Sequence, residues 1–346
     1  MQIHRQSGDF HLCNLTSDFG PLTSDLSIMT NSSSRIAFLF PGQGSQAVGM
    51  GKELAANYPV ARRTFEEADE ALGYKLSELC FEGPEEKLKL TEITQPAILT
   101  ASVAAWRVLQ EKGLRPDFVA GHSLGEYSAH VAAGTLTFAD AVRTVRNRGR
   151  YMQEAVPVGV GAMAAILGMA LDEVGEIAKH AAQGEVCQAA NINSPEQIVI
   201  SGHAGAVHRA IKLAHARGAK KAVHLPVSAP FHCSLMQPAQ DRLTEDLRQL
   251  SFQNPSCAVV SNVDAALVTS AQAAREALIR QVTGTVRWAP SLRLLIDKGV
   301  SLFIEVGPGK VLSGLMRQID RSKTCMAVAD EASLQKTLAQ VAAMAA

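Results

Sequence analysis

The chain has 346 residues, of which 47% are hydrophobic and 19% are charged. This composition is typical of a folded globular protein and excludes a disordered chain. Lys+Arg and Asp+Glu each number 33, so the formal net charge is zero, and we expect neither nucleic acid nor a membrane as a partner.

The first half of the chain alternates between predicted strands and helices. Residues 1–34 are polar and irregular, and we expect a disordered tail there. The apolar segment RIAFLF, 35–40, predicts a buried strand that runs into the turn PGQGSQ, and helical segments follow over 47–90. The segment PDFVA, 116–120, predicts another strand, with a helix after Ser123. Strands that alternate with helices predict a parallel sheet covered on both faces.

A different order of elements is predicted between residues 156 and 225. The segments GAMAAILG, LDEVGEIAKHAAQ, VCQAANIN, QIVISG, AGAVHRAIKLAHARG and KAVHLPV follow one another there. Their order is β-α-β-β-α-β, which is the ferredoxin-like pattern. We therefore expect a large α/β domain over 35–155 and 226–346, with a small ferredoxin-like domain inserted at 156–225.

The cysteines indicate a reducing compartment. The six of them are scattered, with neither a C-x-x-C pair nor the spacing of a zinc site: Cys13, Cys80, Cys187, Cys233, Cys257 and Cys325. The N-terminal segment lacks the apolar run of a signal peptide. We expect free thiols, no metal and a cytoplasmic location.

The segment GHSLG, 121–125, places a serine between two glycines after a predicted strand. Ser123 is either a nucleophile on a tight strand-to-helix turn or an ordinary polar residue at a helix start. A nucleophile needs N–H donors for the oxyanion that forms when it attacks. The backbone of Leu124, and that of Gln43 in the turn PGQG, are the candidates.

A serine nucleophile also needs a base, and His232 is the candidate by position among the ten histidines. It lies in SAPFHCSLM, where the chain re-enters the predicted large domain. No acid is obviously placed downstream to orient it. A carbonyl oxygen also serves that purpose, and Gln281 lies in a predicted loop, RQVTGTVRW.

Arg148 lies on the inward face of a predicted helix. At about 100° per residue it shares its side with Ala141, Val145 and Met152. A buried guanidinium is costly unless an anion meets it. Either a buried acid pairs with Arg148, or Arg148 binds a substrate carboxylate through two hydrogen bonds.

Nine segments together resemble the malonyl-CoA:acyl carrier protein transacylase family. They cover about residues 35 to 320 in the order of the family: FPGQGSQAVGMG, TQPAILTAS, GHSLGEYSA, RGRYMQEAVP, NINSPEQIVISG, FHCSLM, NVDA, RQVTGTVRW and EVGPGKVLSGL. The resemblance implies that Ser123 is the acylated nucleophile and His232 its general base. It implies supporting roles for seven more residues: Gln281 through a carbonyl that orients His232, Gln43 and Leu124 in the oxyanion hole, Arg148 as the clamp on the malonyl carboxylate, and His122, Phe231 and Asn193 at the substrate.

The resemblance also implies a fold and a reaction. The fold is an α/β-hydrolase-like core with an inserted ferredoxin-like domain. The reaction moves a malonyl group from malonyl-CoA to the phosphopantetheine thiol of acyl carrier protein in fatty acid synthesis, by a ping-pong mechanism without a cofactor. Two alternatives stay open, a trans-acting malonyltransferase of a polyketide synthase and a catalytically inactive scaffold homologue.

Overall fold

The computed structural model describes residues 35–227 and 229–345, so the tail expected at 1–34 lies outside the described residues. Ten strands are present in this part of the chain: β1 (Arg35–Phe40), β2 (Phe118–Gly121), β3 (Gly161–Leu167), β4 (Cys187–Ser194), β5 (Gln197–His203), β6 (Lys221–His224), β7 (Ala258–Val260), β8 (Leu267–Val268), β9 (Val300–Val306) and β10 (Thr324–Val328).

Fourteen α-helices are described beside a short 3-10 helix at Ser234–Met236: α1 (Lys52–Asn57), α2 (Pro59–Leu72), α3 (Leu76–Glu82), α4 (Glu85–Leu88), α5 (Thr91–Glu111), α6 (Gly125–Ala132), α7 (Phe138–Glu154), α8 (Leu171–Ala182), α9 (Ala204–Ala216), α10 (Gln237–Gln249), α11 (Ala271–Gln281), α12 (Trp288–Asp297), α13 (Val311–Ile319) and α14 (Glu331–Ala345).

The larger sheet has six strands in the order β10-β9-β1-β2-β7-β8, and all neighbours are parallel except β7 and β8. Alternate residues of the central strand β1 enter two different cores. Phe38 and Phe40 pack with helices α1, α2 and α5 to α7, whereas Ala37 and Leu39 pack with α12 and α13. Both faces are therefore covered by helices, and the predicted α/β fold is confirmed.

The connections of β1 create a crevice at the carboxyl edge of this sheet. The chain leaves β1 towards β2 on one side, and β9 pairs on the other side of β1. Open α/β sheets bind ligands where the strand order reverses in this way. The turn at 41–45 and the turn at 122–124 both begin at this edge.

A second sheet of four antiparallel strands lies in the order β4-β5-β3-β6. Helices α8 and α9 cover one face, with Ile166, Ile177 and Val207 in a separate core. The connectivity and strand order are those of a ferredoxin-like unit. These elements run from residue 161 to residue 224, and the division of the chain into domains stays a prediction.

Backbone hydrogen bonds join the smaller sheet to the segment between α11 and α12. The N–H of Ile192 donates to the carbonyl of Val286 at 2.9 Å, and the N–H of Val286 donates to the carbonyl of Ala190 at 2.8 Å. The hydroxyl of Thr285 donates to the carbonyl of Ala189 at 2.7 Å. Strand β4 is thereby held against the segment that follows α11.

Three boundaries differ from the sequence prediction. The helical region begins at Lys52 instead of residue 47, because the chain first continues through the turns of the glycine-rich segment. Gly73, at φ 74°, ends α2 in the left-handed conformation and adds a break before α3. Strand β6 ends at His224, three residues before the predicted end, and Pro226 has no N–H to continue it.

We expect Gly125→Ala to destabilise the fold strongly. A Cβ at Gly125 would lie 2.1 Å from the carbonyl oxygen of Phe40, because α6 begins directly against the end of β1. Backbone cannot yield as a side chain does, so the free energy of unfolding should fall by about 3 kcal/mol or more. Chemical denaturation measures this change.

The matched control is Gly175→Ala on α8, where a Cβ meets nothing within 4 Å. Alanine is the better helix former, so this variant should gain about 0.5–1 kcal/mol. Equal stability of the two variants would contradict the close approach of α6 to β1.

Candidate active site

Ser123 lies on a sharp turn between β2 and α6. Its φ of 53° is in the left-handed region, which residues other than glycine rarely adopt. The flanking glycines permit the turn, because a Cβ at Gly121 would lie 1.9 Å from the backbone of Gly125. This strained strand-to-helix geometry presents the hydroxyl at the carboxyl edge of the sheet, as in a nucleophile elbow.

His232, just before the 3-10 helix at Ser234–Met236, contacts Ser123. The distance from Ser123 Oγ to His232 Nε2 is 2.7 Å, and the distance from His232 Nδ1 to the carbonyl oxygen of Gln281 is 3.0 Å. Since a carbonyl only accepts, Nδ1 carries the hydrogen and Nε2 accepts from the serine hydroxyl. The imidazole is therefore in the tautomer that takes up the serine proton.

The prediction that Gln281 lies in a loop is wrong, because Gln281 is the last residue of α11. The last carbonyl groups of a helix have no partner within the helix. The carbonyl of Gln281 is consequently free to accept from His232, so the helix end itself holds the imidazole.

His232 is buried with the cation of Arg148 nearby. Burial, and after it the charge of Arg148, lowers the pKa of His232 to about 3. The imidazole is thus neutral across the physiological range, which is the form that accepts a proton.

Two backbone N–H groups at the same edge of the sheet are free to bind a ligand. The N–H groups of Gln43, in the turn after β1, and of Leu124, at the start of α6, donate to no other group in the described part of the chain. Gly42 lets the two turns meet, because a Cβ there would lie 2.4 Å from the carbonyl oxygen of His122. A negative oxygen between the turns can accept hydrogen bonds from both.

Arg148 is buried on α7, with 1% of its surface exposed, and its partners are neutral oxygen atoms. Its Nη1 donates to Gln95 Oε1 at 2.8 Å, and its Nη2 donates to Ser123 Oγ at 3.1 Å and to Gln281 Oε1 at 2.9 Å. Within the described residues no carboxylate lies within 4.0 Å of it. A buried acid therefore does not pair directly with Arg148, and its charge remains available beside the serine.

A cavity of about 200 Å³ opens over the serine, between the two sheets. Six of the nine residues predicted from the sequence line this cavity: Gln43, His122, Ser123, Asn193, Phe231 and His232. Gln281 is not in the lining and contacts His232 from behind it. Arg148 and Leu124 lie immediately behind Ser123. His122 Nε2 is 2.8 Å from Asn193 Oδ1, and burial lowers the pKa of His122.

Three buried polar residues of the site had no role in the sequence analysis. Gln95 holds Arg148, and Asn262 accepts from the N–H of Ser123 at 2.7 Å and donates to the carbonyl of Gly121 at 2.7 Å. Glu126 Oε2 accepts from Gln281 Nε2 at 2.7 Å. Gln95 lies in the segment TQPAILTAS, Asn262 in NVDA and Glu126 in GHSLGEYSA. A polar residue at a buried position was the one sequence signal that could have identified each of them.

Among the described residues, none of the helices combines the length and the apolar character that a membrane span requires.

Comparisons with known proteins agree on one family. A sequence model described as an acyl transferase domain matches residues 37–342. The malonyl CoA-acyl carrier protein transacylase of Salmonella typhimurium is 50% identical over 307 residues, which is 88% of this chain and 99% of that protein.

Two solved structures are similar to this chain to about the same degree. An acyl carrier protein S-malonyltransferase from Vibrio cholerae is 49% identical with a TM-score of 0.86, over 88% of this chain and all of that one. A malonyl-transacylase in complex with the acyl carrier protein of a type II polyketide synthase is 48% identical with a TM-score of 0.87, over 89% and 100% of the two chains.

The lowered pKa of His232 predicts a serine whose reactivity does not change between pH 5 and 8. A neutral fluorophosphonate should label the protein at a nearly constant rate over this range, because His232 is already neutral at its lower limit. The rate is followed by intact mass, with Ser123→Ala as the unlabelled control. An inflection near pH 6.5, the ordinary value of an exposed imidazole, would contradict the burial of His232.

Proposed function

We infer the function of this chain from its family, because the chain belongs to the acyl transferase family. The protein is an acyltransferase that moves a malonyl group from malonyl-CoA to the phosphopantetheine thiol of acyl carrier protein, in fatty acid biosynthesis. The observation that supports this reaction best is the buried guanidinium of Arg148, which lies 3.1 Å from Ser123 Oγ with neutral partners alone. The free carboxylate of a malonyl thioester supplies the missing anion.

We propose that Ser123 and His232 carry out the covalent steps. Ser123 Oγ attacks the thioester carbonyl while His232 Nε2 takes the hydroxyl proton. The oxygen becomes negative and accepts hydrogen bonds from the backbone N–H groups of Gln43 and Leu124. The C–S bond then breaks, and CoA leaves as the thiol with the proton from His232. The carrier thiol reverses these steps and frees Ser123, which completes a ping-pong cycle.

We propose that Arg148 binds the malonyl carboxylate and thereby selects the substrate. Its planar fork can donate two hydrogen bonds to a carboxylate. Acetyl-CoA leaves the buried charge without an anion, at a cost of several kcal/mol relative to malonyl-CoA. Phe231, His122 and Asn193 line the cavity over Ser123 and complete the substrate site in this proposal.

The carrier protein of a polyketide synthase is the alternative acceptor. The similarity to a malonyl-transacylase bound to a type II polyketide carrier supports it, since the chemistry at Ser123 is the same for both carriers. The third hypothesis, an inactive scaffold, is not favoured, because the Ser123–His232 hydrogen bond and the Arg148 site are both complete.

We further propose a cytoplasmic location. Five cysteines within the described residues are free thiols: Cys80, Cys187, Cys233, Cys257 and Cys325. Burial raises the pKa of each, so they are unreactive thiols of the kind kept in a reducing compartment.

Incubation with malonyl-CoA should add one malonyl group to the protein, because the first half-reaction needs no carrier. Intact mass measures the adduct, and holo-acyl carrier protein should then remove it. Ser123→Ala should form no adduct. The absence of an adduct on the unaltered protein, or an adduct that persists in the variant, would contradict the proposed nucleophile.

We expect Arg148→Ala to lose malonyl transfer on the order of 100-fold in kcat/KM, since hydrogen bonds to a charged group contribute about 1.5–3 kcal/mol. Acetyl transfer should stay constant or rise, because the unpaired charge is gone.

The control is Arg143→Ala on the same helix, an exposed arginine that pairs with Asp140 on the surface. This variant should leave kcat/KM unchanged for both malonyl and acetyl transfer. Equal losses of malonyl and acetyl transfer in Arg148→Ala would assign Arg148 a structural role instead.

A further inference from the structure

Glu126 is a buried carboxylate one helical turn after the nucleophile, and it does not contact the cavity. Its side chain is fully buried, and its backbone N–H donates to the carbonyl of Ser123 at 3.0 Å. Its Oε2 accepts from Gln281 Nε2 at 2.7 Å and from the N–H of Asn262 at 3.2 Å. Its Oε1 has no partner among the residues that the structure describes.

The two residues that Glu126 holds are those that hold the reactive groups. Gln281 accepts from Arg148 through Oε1, and its backbone carbonyl accepts from His232. Asn262 accepts from the N–H of Ser123. Glu126 contacts the side chain of Gln281 but only the backbone N–H of Asn262, so it orients the amide that accepts from Arg148 and not the side chain that accepts from Ser123.

The amide of Gln281 has only one useful orientation. Its Nε2 donates both hydrogens, to Glu126 Oε2 at 2.7 Å and to the carbonyl of Ser123 at 2.8 Å, while its Oε1 accepts from Arg148. In the flipped amide, an NH₂ group would face the guanidinium, and both groups only donate. The carbonyl of Ser123 and an ionised Glu126 both only accept, so they hold the NH₂ group on their side, and Glu126 adds the charge-assisted bond of the pair.

We propose that Glu126 is a positioning residue, whose ionised carboxylate sets the direction of the Gln281 amide and through it presents Arg148 to the malonyl carboxylate. This inference rests on the proposed function of Arg148. Glu126 touches neither the substrate nor the reacting atoms. Its effect should therefore appear on thioesters that carry a carboxylate and spare the reactivity of Ser123 towards neutral reagents.

The charges around Glu126 give this proposal a pH signature. Burial raises the pKa of Glu126, and the hydrogen bonds from Gln281 and Asn262 and the charge of Arg148 limit the rise, so that the pKa is about 7. Asp264 raises the pKa slightly. Arg280 on α11 and Tyr127 on α6 are the other titratable groups coupled to it.

Protonation removes the charge-assisted hydrogen bond from Gln281 Nε2, so the amide that accepts from Arg148 is held less firmly. As pH falls through about 7, Glu126 gains its proton and malonyl acceptance should decline. The buried imidazole of His232 does not titrate in this range, so the two groups are distinguishable.

The test compares Glu126→Gln with the unaltered protein on two reagents. Malonyl-pantetheine reports on the carboxylate site without the titrating phosphates of CoA, and a neutral fluorophosphonate reports on Ser123 alone. At pH 8 we expect the variant to lose about tenfold or more in kcat/KM for acylation by malonyl-pantetheine, the scale of a hydrogen bond to a charged group. Fluorophosphonate labelling should stay within about threefold.

The second arm of the test is the pH profile of the unaltered protein. Acylation of the unaltered protein by malonyl-pantetheine should fall with an inflection near pH 7, while fluorophosphonate labelling stays flat. In Glu126→Gln the inflection should disappear. This arm keeps the proposal testable if the variant does not fold.

Asp69→Asn is the matched control, a second buried carboxylate, which accepts from the N–H and the hydroxyl of Ser77 and does not line the cavity over Ser123. It should lower the Tm without changing kcat/KM of the folded protein.

Three results would overturn the positioning role: parallel loss on both reagents, no loss on either, or a malonyl profile without an inflection near pH 7. The failure of the proposed function is a separate outcome, because the unaltered protein would then form no malonyl adduct at any pH.

Discussion

The placement of a buried positive charge beside a serine hydroxyl is the constraint on which this site depends. Arg148 has almost no exposed surface, and such a charge is costly unless other groups replace its lost hydration. Gln95, Ser123 and Gln281 do so with oxygen atoms from α5, the β2–α6 turn and α11. These neutral partners hold the guanidinium in place without cancelling its charge.

The fold brings these three elements together at one edge of the parallel sheet. The reversal of strand order around β1 opens the crevice, and the close contact of α6 with the end of β1 directs Ser123 into it. The end of α11 supplies a carbonyl to His232 and a side chain to Arg148. Just beyond α11, Val286 pairs with β4. The smaller sheet thereby forms one wall of the cavity.

Much of this architecture could be predicted from local patterns. The apolar strands, the helical face of Arg148 and the glycines around Ser123 each carry a signal within a few residues of sequence. The residues that orient Arg148, Ser123 and His232 carry no such local signal, because their roles depend on contacts between distant segments. Gln95 and Glu126 are ordinary polar residues by periodicity, and the carbonyl of Gln281 became available because α11 ends there, not because a loop surrounds it.

The central claim is that the charge of Arg148 recognises a substrate carboxylate, and a binding measurement on Ser123→Ala tests it without turnover. Calorimetry should find that this variant binds malonyl-CoA about 100-fold more tightly than acetyl-CoA, which is a difference of about 2.7 kcal/mol. The preference should vanish when Arg148→Ala is added. Equal affinities for the two thioesters in Ser123→Ala would contradict the account.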